Sequence, residues 1–371
     1  MNRGTSAYLD LLRFLCAAIV ILVHADWLQI DGRLPLVWRL PGAGHDAVIV
    51  FFVLSGFVIA HVAQEREHGL RDYALSRLAR LWSVALPALL LTLVADALGQ
   101  FLAPDLYQGR RFAPTDLPAW RLAASALFVN ELWFVSIRPL SNIPFWSLGY
   151  EAWYYAIFAA LFYLRGRARW IVAAAAALVA GPKILLLLPV WGLGVLAYRA
   201  ARAQRLSPRA GTGLALGAAA VYLAYRWAQG PQATQRFVVG WLGDAAYAAL
   251  DCSQTFLVEY VVGVLVALHL VGISAAARGR NWRLPGVAYL ASFSFSMYLF
   301  HFPLLLFFLA LAERLQLVRG RVAFILGGTL AVIWLLGTVT ERRKGRLRQW
   351  LARVADRFGA RPRLSTAPDS R

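Results

Sequence analysis

Ten long apolar runs constrain this chain more than any other feature of its sequence. A helix needs about 20 predominantly apolar residues to cross the hydrocarbon core of a membrane, and most of the runs approach that length. Because 60% of the 371 residues are apolar or aromatic and only 15% are charged, a water-soluble fold is disfavoured. We therefore predict an all-α polytopic membrane protein with about ten transmembrane helices. The predicted spans are 8–25, 46–63, 82–102, 146–164, 168–181, 184–199, 211–228, 252–272, 285–308 and 321–340.

The basic residues predict how these spans are oriented. The chain has 38 Lys and Arg against 19 Asp and Glu, a formal net charge of +19. Positively charged loops stay in the cytoplasm, so we predict that both termini are cytoplasmic and that the number of spans is even. With its charge explained by topology, the chain is not expected to bind nucleic acid. Most of the basic residues lie in alternate segments: 1–7, 64–80, 165–169, 199–210, 277–283 and 341–371.

The regions between and after the spans predict a single membrane domain. We expect a transmembrane domain at 1–345, a basic cytoplasmic tail at 346–371 and no separate soluble domain. The longest outer segment, 103–145, is rich in Pro and Trp and is expected to contain an interfacial helix or a re-entrant piece. The short fifth and sixth runs meet at Gly181-Pro182-Lys183, so they form either two spans or a helical hairpin.

Polar residues within the first span are the strongest functional candidates, because a polar group in hydrocarbon is costly. Arg13 and His24 are 11 residues apart, which places them on nearly the same helix face and about 16 Å apart along the axis. Asp10 can pair with Arg13. His24, predicted near mid-membrane, is either an acid/base catalyst or a polar residue at the helix exit beside Asp26.

Other polar positions allow a functional and a structural interpretation. Ser55-Gly56 permits close helix packing. Arg77 and Arg80 are adjacent on a helix and form either a fork for phosphate oxygens or a topogenic charge cluster. Glu151 lies among aromatic residues in the fourth span and favours a functional role.

The ninth span adds a polar run that ends in Tyr298 and His301, one helical turn apart. Hydrogen-bonded packing explains the serines of this run as well as a site does. Glu259 and His269 in the eighth span are interpreted as structural, and Cys16 and Cys252 as packing residues.

Five blocks in order resemble the acyltransferase 3 family of bacterial integral-membrane enzymes. They are Tyr8-Leu9-Asp10-Leu11-Leu12-Arg13 with His24, Phe51-Phe52-Val53-Leu54-Ser55-Gly56-Phe57, Arg77-Leu78-Ala79-Arg80, Trp146-Ser147-Leu148-Gly149-Tyr150-Glu151, and Phe295-Ser296-Met297-Tyr298-Leu299-Phe300-His301-Phe302-Pro303. Glu341-Arg342-Arg343 departs from the family's usual Glu, basic residue and Pro, which leaves the role of Glu341 open. Some relatives carry an extracytoplasmic hydrolase-like domain, so we expect either direct modification of the acceptor or a separate extracytoplasmic transferase partner.

The resemblance implies transfer of an acyl group, usually acetyl, from cytoplasmic acyl-CoA to a hydroxyl of a cell-envelope carbohydrate or similar acceptor. It implies a multi-pass protein of the bacterial cytoplasmic membrane, with acyl-CoA as co-substrate and no bound cofactor or metal. As a hypothesis, Arg77 and Arg80 hold the CoA phosphates and Arg13 orients the donor. His24 is then the general base or a transient acyl carrier.

The remaining predicted site residues assist these groups. Glu151 or Asp26 orients His24, while Tyr298 and His301 complete the substrate-binding set. The alternative class is a proton-coupled transporter or flippase, in which His24, Glu151 and His301 relay protons without a covalent step.

Overall fold

The computed structural model describes residues 1–30, 42–67, 69–108, 116–280 and 285–359, and within these ranges the regular structure is helical without a β-strand. Short 3₁₀ turns at Pro104–Leu106, Ile143–Phe145, Asp251–Ser253 and Glu341–Arg343 join some of the helices. The α-helices are α1 (Arg3–Trp27), α2 (Ala43–Glu65), α3 (Leu70–Leu102), α4 (Pro118–Ala126), α5 (Trp146–Tyr163), α6 (Gly166–Ala180), α7 (Pro182–Arg202), α8 (Pro208–Trp227), α9 (Gly230–Leu242), α10 (Asp244–Ala249), α11 (Phe256–Ala276), α12 (Pro285–Ala291), α13 (Ser294–Arg314), α14 (Arg321–Val339) and α15 (Lys344–Gly359).

Seven of the described helices are long and apolar enough to cross a membrane, which confirms the all-α membrane fold. They are α1, α2, α3, α7, α11, α13 and the stretch Arg321–Arg357 that contains α14. Three further predicted spans coincide with α5, α6 and α8, which are shorter or less apolar. The count of ten spans and the cytoplasmic location of both termini therefore stay predictions.

Two predicted boundaries differ from the observed ones. Helix α3 begins at Leu70 and not at 82, so Arg77 and Arg80 lie within it; Asp72 in its first turn favours this earlier start. The predicted span 285–308 is divided into α12 and α13, because the Glu341 carboxylate accepts hydrogen bonds from Ser296 at the start of α13. A cap supplied from elsewhere in the chain satisfies backbone groups that a continuous helix would pair internally.

Helices α2 and α13 are the most deeply buried of the candidate spans and form the centre of the bundle. Helix α2 packs closely on α7 through two glycines. A Cβ on Gly56 would lie 2.0 Å from the Trp191 carbonyl oxygen, and one on Gly194 would lie 2.0 Å from that of Val53. Any larger residue at either position would force the two backbones apart.

The segment after α4 folds back onto the bundle instead of forming a long helix. Helix α4 is the short helix predicted between 103 and 145, and residues 109–115 lie outside the described part of the chain. Asn142 follows α4 in this segment and donates a hydrogen bond from Nδ2 to the Leu299 carbonyl oxygen at 3.0 Å. That carbonyl is left without its helical partner because Pro303, four residues later, has no N–H.

Helix α15 covers the first part of the predicted tail and packs against the start of α3. Arg71 forms an ion pair with Asp356, and Arg348 lies 3.4 Å from Asp72. The rest of the predicted tail, 360–371, lies outside the described residues.

Candidate active site

A cavity lies among α1, α2, α3, α5 and α13. Each of the five sequence blocks contributes to its wall, although the blocks are distributed along some 290 residues of chain. Its polar lining comes from Arg13, Ser55, Arg80, Ser147, Glu151, Ser294 and Tyr298. Helix packing therefore gathers the sequence motifs at one place.

Glu151 is held in this cavity by hydroxyl donors. Its Oε1 accepts a hydrogen bond from Ser55 Oγ at 2.6 Å and another from the Tyr155 hydroxyl. Trp191 Nε1 donates in turn to Ser55 Oγ at 3.2 Å. Ser55 thus positions a carboxylate in addition to its place in the close-packed part of α2. Sequence reasoning missed this role, because nothing local relates residues 55 and 151.

The cationic side chains of the site differ in their pairing. Arg80 lines the cavity and interacts electrostatically with Glu151. Arg13 lines it as well and lies 3.6 Å from Asp10. Arg77 is instead bonded to the buried Glu67 at 2.7 Å and is not part of the cavity lining. Of the predicted Arg pair, only Arg80 reaches the cavity in this structure.

Glu341 holds the start of α13 against the cavity. Its Oε2 accepts from the Ser296 backbone N–H at 2.9 Å and from Ser296 Oγ at 2.8 Å. A carboxylate at a helix N-terminus is favoured because the exposed N–H groups carry partial positive charge. Glu341 therefore caps the helix that carries Tyr298 and His301.

His24 lies in the last turn of α1, against His301 of α13. Its Nδ1 is 2.9 Å from His301 Nε2, and His301 Nδ1 is 2.9 Å from the Met297 carbonyl oxygen. A carbonyl only accepts, so His301 carries its proton on Nδ1 and offers a lone pair at Nε2. His24 must then donate from Nδ1. This chain of hydrogen bonds assigns the basic lone pair of His24 to Nε2.

Tyr298 connects the cavity with the two imidazoles. Its hydroxyl donates to the Pro144 carbonyl oxygen at 3.0 Å and lies 2.8 Å from Ser147 Oγ. The Tyr298 ring lies 6.3 Å from that of His301, measured between centroids. The predicted residues Tyr298 and His301 thus lie next to each other, and His301 contacts His24 directly.

The hydrogen-bond partner that the structure describes for His24 is His301, and not one of the two carboxylates predicted to orient it. Glu151 is bonded to Ser55 and Tyr155, and Asp26 follows His24 by two residues, about 200° around the helix. His301 supplies the orienting contact instead. The roles of the predicted site residues stay predictions, but their arrangement favours His301 as the orienting group.

A second buried polar cluster lies beside the site and holds the segment after α4 in place. Lys183 Nζ lies 3.0 Å from Glu131 Oε2 and donates to Ser136 Oγ at 2.6 Å; neither charged side chain is more than 2% exposed. Burial raises the pKa of Glu131 to about 7, and the Lys183 ammonium opposes this rise. Sequence analysis assigned no role to this pair, because its two members are separated by 52 residues.

Comparisons with known proteins place the chain in a family. In the described ranges no group of three or more His, Cys, Asp or Glu side chains is arranged to hold a metal ion. No curated protein and no solved structure matches the chain. A family model described as an acyltransferase domain matches residues 6–338, nearly the whole chain and all five blocks. The chain therefore belongs to the acyltransferase 3 family.

Proposed function

We propose that this membrane acyltransferase moves an acyl group, acetyl by default, from cytoplasmic acyl-CoA to a hydroxyl of a cell-envelope carbohydrate or similar acceptor. The observation that carries the proposal is the hydrogen-bonded chain from His24 through His301 to the Met297 carbonyl oxygen. Because His301 fixes the proton on His24 Nδ1, Nε2 is available as a general base.

The proposed step is a direct acyl transfer. His24 Nε2 takes the proton of the acceptor hydroxyl while its oxygen attacks the thioester carbonyl carbon. The new C–O bond forms, the C–S bond breaks, and the proton passes from the imidazolium to the leaving thiolate to give free CoA. A positioned base of this kind accelerates such reactions about 10²- to 10⁴-fold.

The cavity supports a phosphate-bearing donor. Arg13 and Arg80 place two guanidinium groups on its wall, and Arg prefers the geometry of phosphate oxygens. Since α1 is a continuous helix, His24 lies about 16 Å beyond Arg13 along its axis. An extended donor such as CoA, with its phosphates at one end and its thioester at the other, suits that separation.

Labelled substrate tests this proposal against the transporter alternative. Purified protein is incubated with [¹⁴C]acetyl-CoA and with envelope membranes from a source strain deleted for the protein. We expect label to enter the membrane material covalently and one free CoA thiol to appear for each label transferred. Uptake of substrate into sealed vesicles without any CoA release would favour the transporter.

Because Arg77 is paired with Glu67 whereas Arg80 lines the cavity, we expect the two arginines to contribute unequally to donor binding. Arg80→Ala is expected to weaken CoA affinity about 10- to 100-fold, as the loss of a charged hydrogen bond does. Arg77→Ala is expected to cost less, because Glu67 already occupies that guanidinium. Isothermal titration with CoA measures both, and Arg202→Ala, which removes an exposed ion pair with Glu65, is the control. A larger loss in Arg77→Ala than in Arg80→Ala would contradict this assignment.

A further inference from the structure

A second imidazole and carboxylate pair lies outside the predicted site. His45 in the first turn of α2 and Glu259 in the first turn of α11 are 2.5 Å apart, Nε2 to Oε1. Thr255 Oγ1 donates to the same carboxylate oxygen at 2.8 Å. The Glu259 side chain is 1% exposed, whereas that of His45 is 35% exposed. The pair thus combines a buried carboxylate with an imidazole that a ligand can reach.

One oxygen of the Glu259 carboxylate lacks a hydrogen-bond donor. Glu259 Oε2 is buried and has no partner among the described residues, a costly state for a carboxylate oxygen. His45 donates from Nε2 to the carboxylate, and its other ring nitrogen, Nδ1, is left for a further hydrogen bond, as an acceptor when the imidazole is neutral. Glu259 is buried and His45 is partly exposed, so the imidazole is the group that meets a ligand, and a hydrogen-bonding ligand such as a sugar with several hydroxyls fits it.

The pair lies at the same end of the bundle as His24. Helix α1 ends just after His24 and α2 begins just before His45; a Cβ on Gly44 would lie only 3.0 Å from Val23 Cγ1. Val48, one turn after His45, lines the central cavity. A hydroxyl ligand on His45 would therefore lie at the end of the bundle where His24 lies.

Trp146 connects the pair of His45 and Glu259 with the same cavity. Trp146 stacks on His45 with ring centroids 6.0 Å apart and planes inclined by 10°. Ser147, the next residue, lines the cavity and bonds to Tyr298. Arg13, which is proposed to bind the donor, lies about 16 Å before His24 along α1, so the donor's phosphates and the acceptor have separate places.

We propose that His45, Glu259 and Thr255 form a subsite that binds hydroxyl groups of the acceptor at the end of the bundle where His24 lies. This proposal rests on the proposed function, since it needs a hydroxyl acceptor that is distinct from the acyl donor. Glu259 and Thr255 act as positioning residues behind the accessible imidazole, which contacts the acceptor.

The test separates acceptor binding from donor binding. Transfer from [¹⁴C]acetyl-CoA is measured while the concentration of acceptor membranes from the deleted source strain is varied, and then while that of acetyl-CoA is varied. His45→Ala and Glu259→Gln are each expected to raise the apparent KM for the membranes about 10-fold or more. The KM for acetyl-CoA is expected to stay unchanged.

His269→Ala is the matched control. His269 also joins two helices, but Tyr8 at 2.5 Å and the Ala215 carbonyl at 2.9 Å engage both of its nitrogens, so it has no place for a ligand. This variant should retain both KM values. An unchanged acceptor KM in His45→Ala would overturn the subsite, as would a parallel loss of kcat and thermal stability in all three variants. Absence of transfer by the wild-type protein would instead overturn the proposed function.

Discussion

His24→Ala is expected to lower acyl transfer by about 10³-fold or more while the protein still folds and binds CoA. The change removes Nε2 of His24, the nitrogen that the hydrogen bonds through His301 leave available as a base. Loss of a positioned general base typically costs about 10²- to 10⁴-fold in rate. The initial rate of label transfer from [¹⁴C]acetyl-CoA measures the effect, and CoA titration measures binding.

His269→Ala again serves as the comparison, because it removes a buried imidazole without touching the cavity. His301→Phe should lower the rate as well, since His24 then loses the partner that fixes its tautomer. Normal turnover of His24→Ala would remove His24 from the mechanism, and strongly reduced CoA affinity would assign it to donor binding.

Lys183→Met is expected to cause the largest loss of stability, about 3–5 kcal/mol at pH 8, because it leaves the Glu131 carboxylate buried without its cation. Burial raises the pKa of Glu131 to about 7. Between pH 4.5, the ordinary pKa of a Glu carboxyl, and pH 7, Glu131 therefore keeps its proton in the folded protein and releases it in the unfolded chain. The stabilisation that protonated Glu131 contributes is fully present below pH 4.5 and is lost as the pH rises through 7. The loss in Lys183→Met should accordingly be smaller at pH 6 than at pH 8.

Thermal unfolding in detergent at the two pH values measures this difference. The double variant Lys183→Met with Glu131→Gln should recover much of the stability, since no unpaired charge is left. Arg202→Ala, which breaks an exposed ion pair, should change little at either pH. An equal loss at pH 6 and pH 8 would show that the carboxylate of Glu131 is not the cause.

The positions of the helices could be predicted from sequence because apolar runs act locally. Nine of the ten predicted spans coincide each with one observed helix, and Gly181, at φ +81°, separates α6 from α7 as the pattern indicated. Boundaries failed where a distant residue intervenes. The break between α12 and α13 depends on Glu341, which lies 45 residues after Ser296 and carries no local signal of that contact.

Membership of the site was predictable in part, and its contacts were not. Arg13, Glu151 and Tyr298 were singled out as polar residues within spans and Arg80 as part of an arginine pair, and all four line one cavity. His45 was missed, although an imidazole in the first turn of an apolar span is the same kind of signal. Glu259 was interpreted as structural, because only the folded chain shows that one of its oxygens lacks a partner.

Hydropathy and charge along the chain determined a helical membrane protein, and five short blocks determined its family. Only the tertiary structure decided that His24 meets His301, 277 residues away, and that Glu151 is bonded to Ser55 and Tyr155. The physical reason is the range of each effect. Burial in lipid acts on each run of residues separately, whereas a hydrogen bond between helices depends on how side chains far apart in sequence pack together.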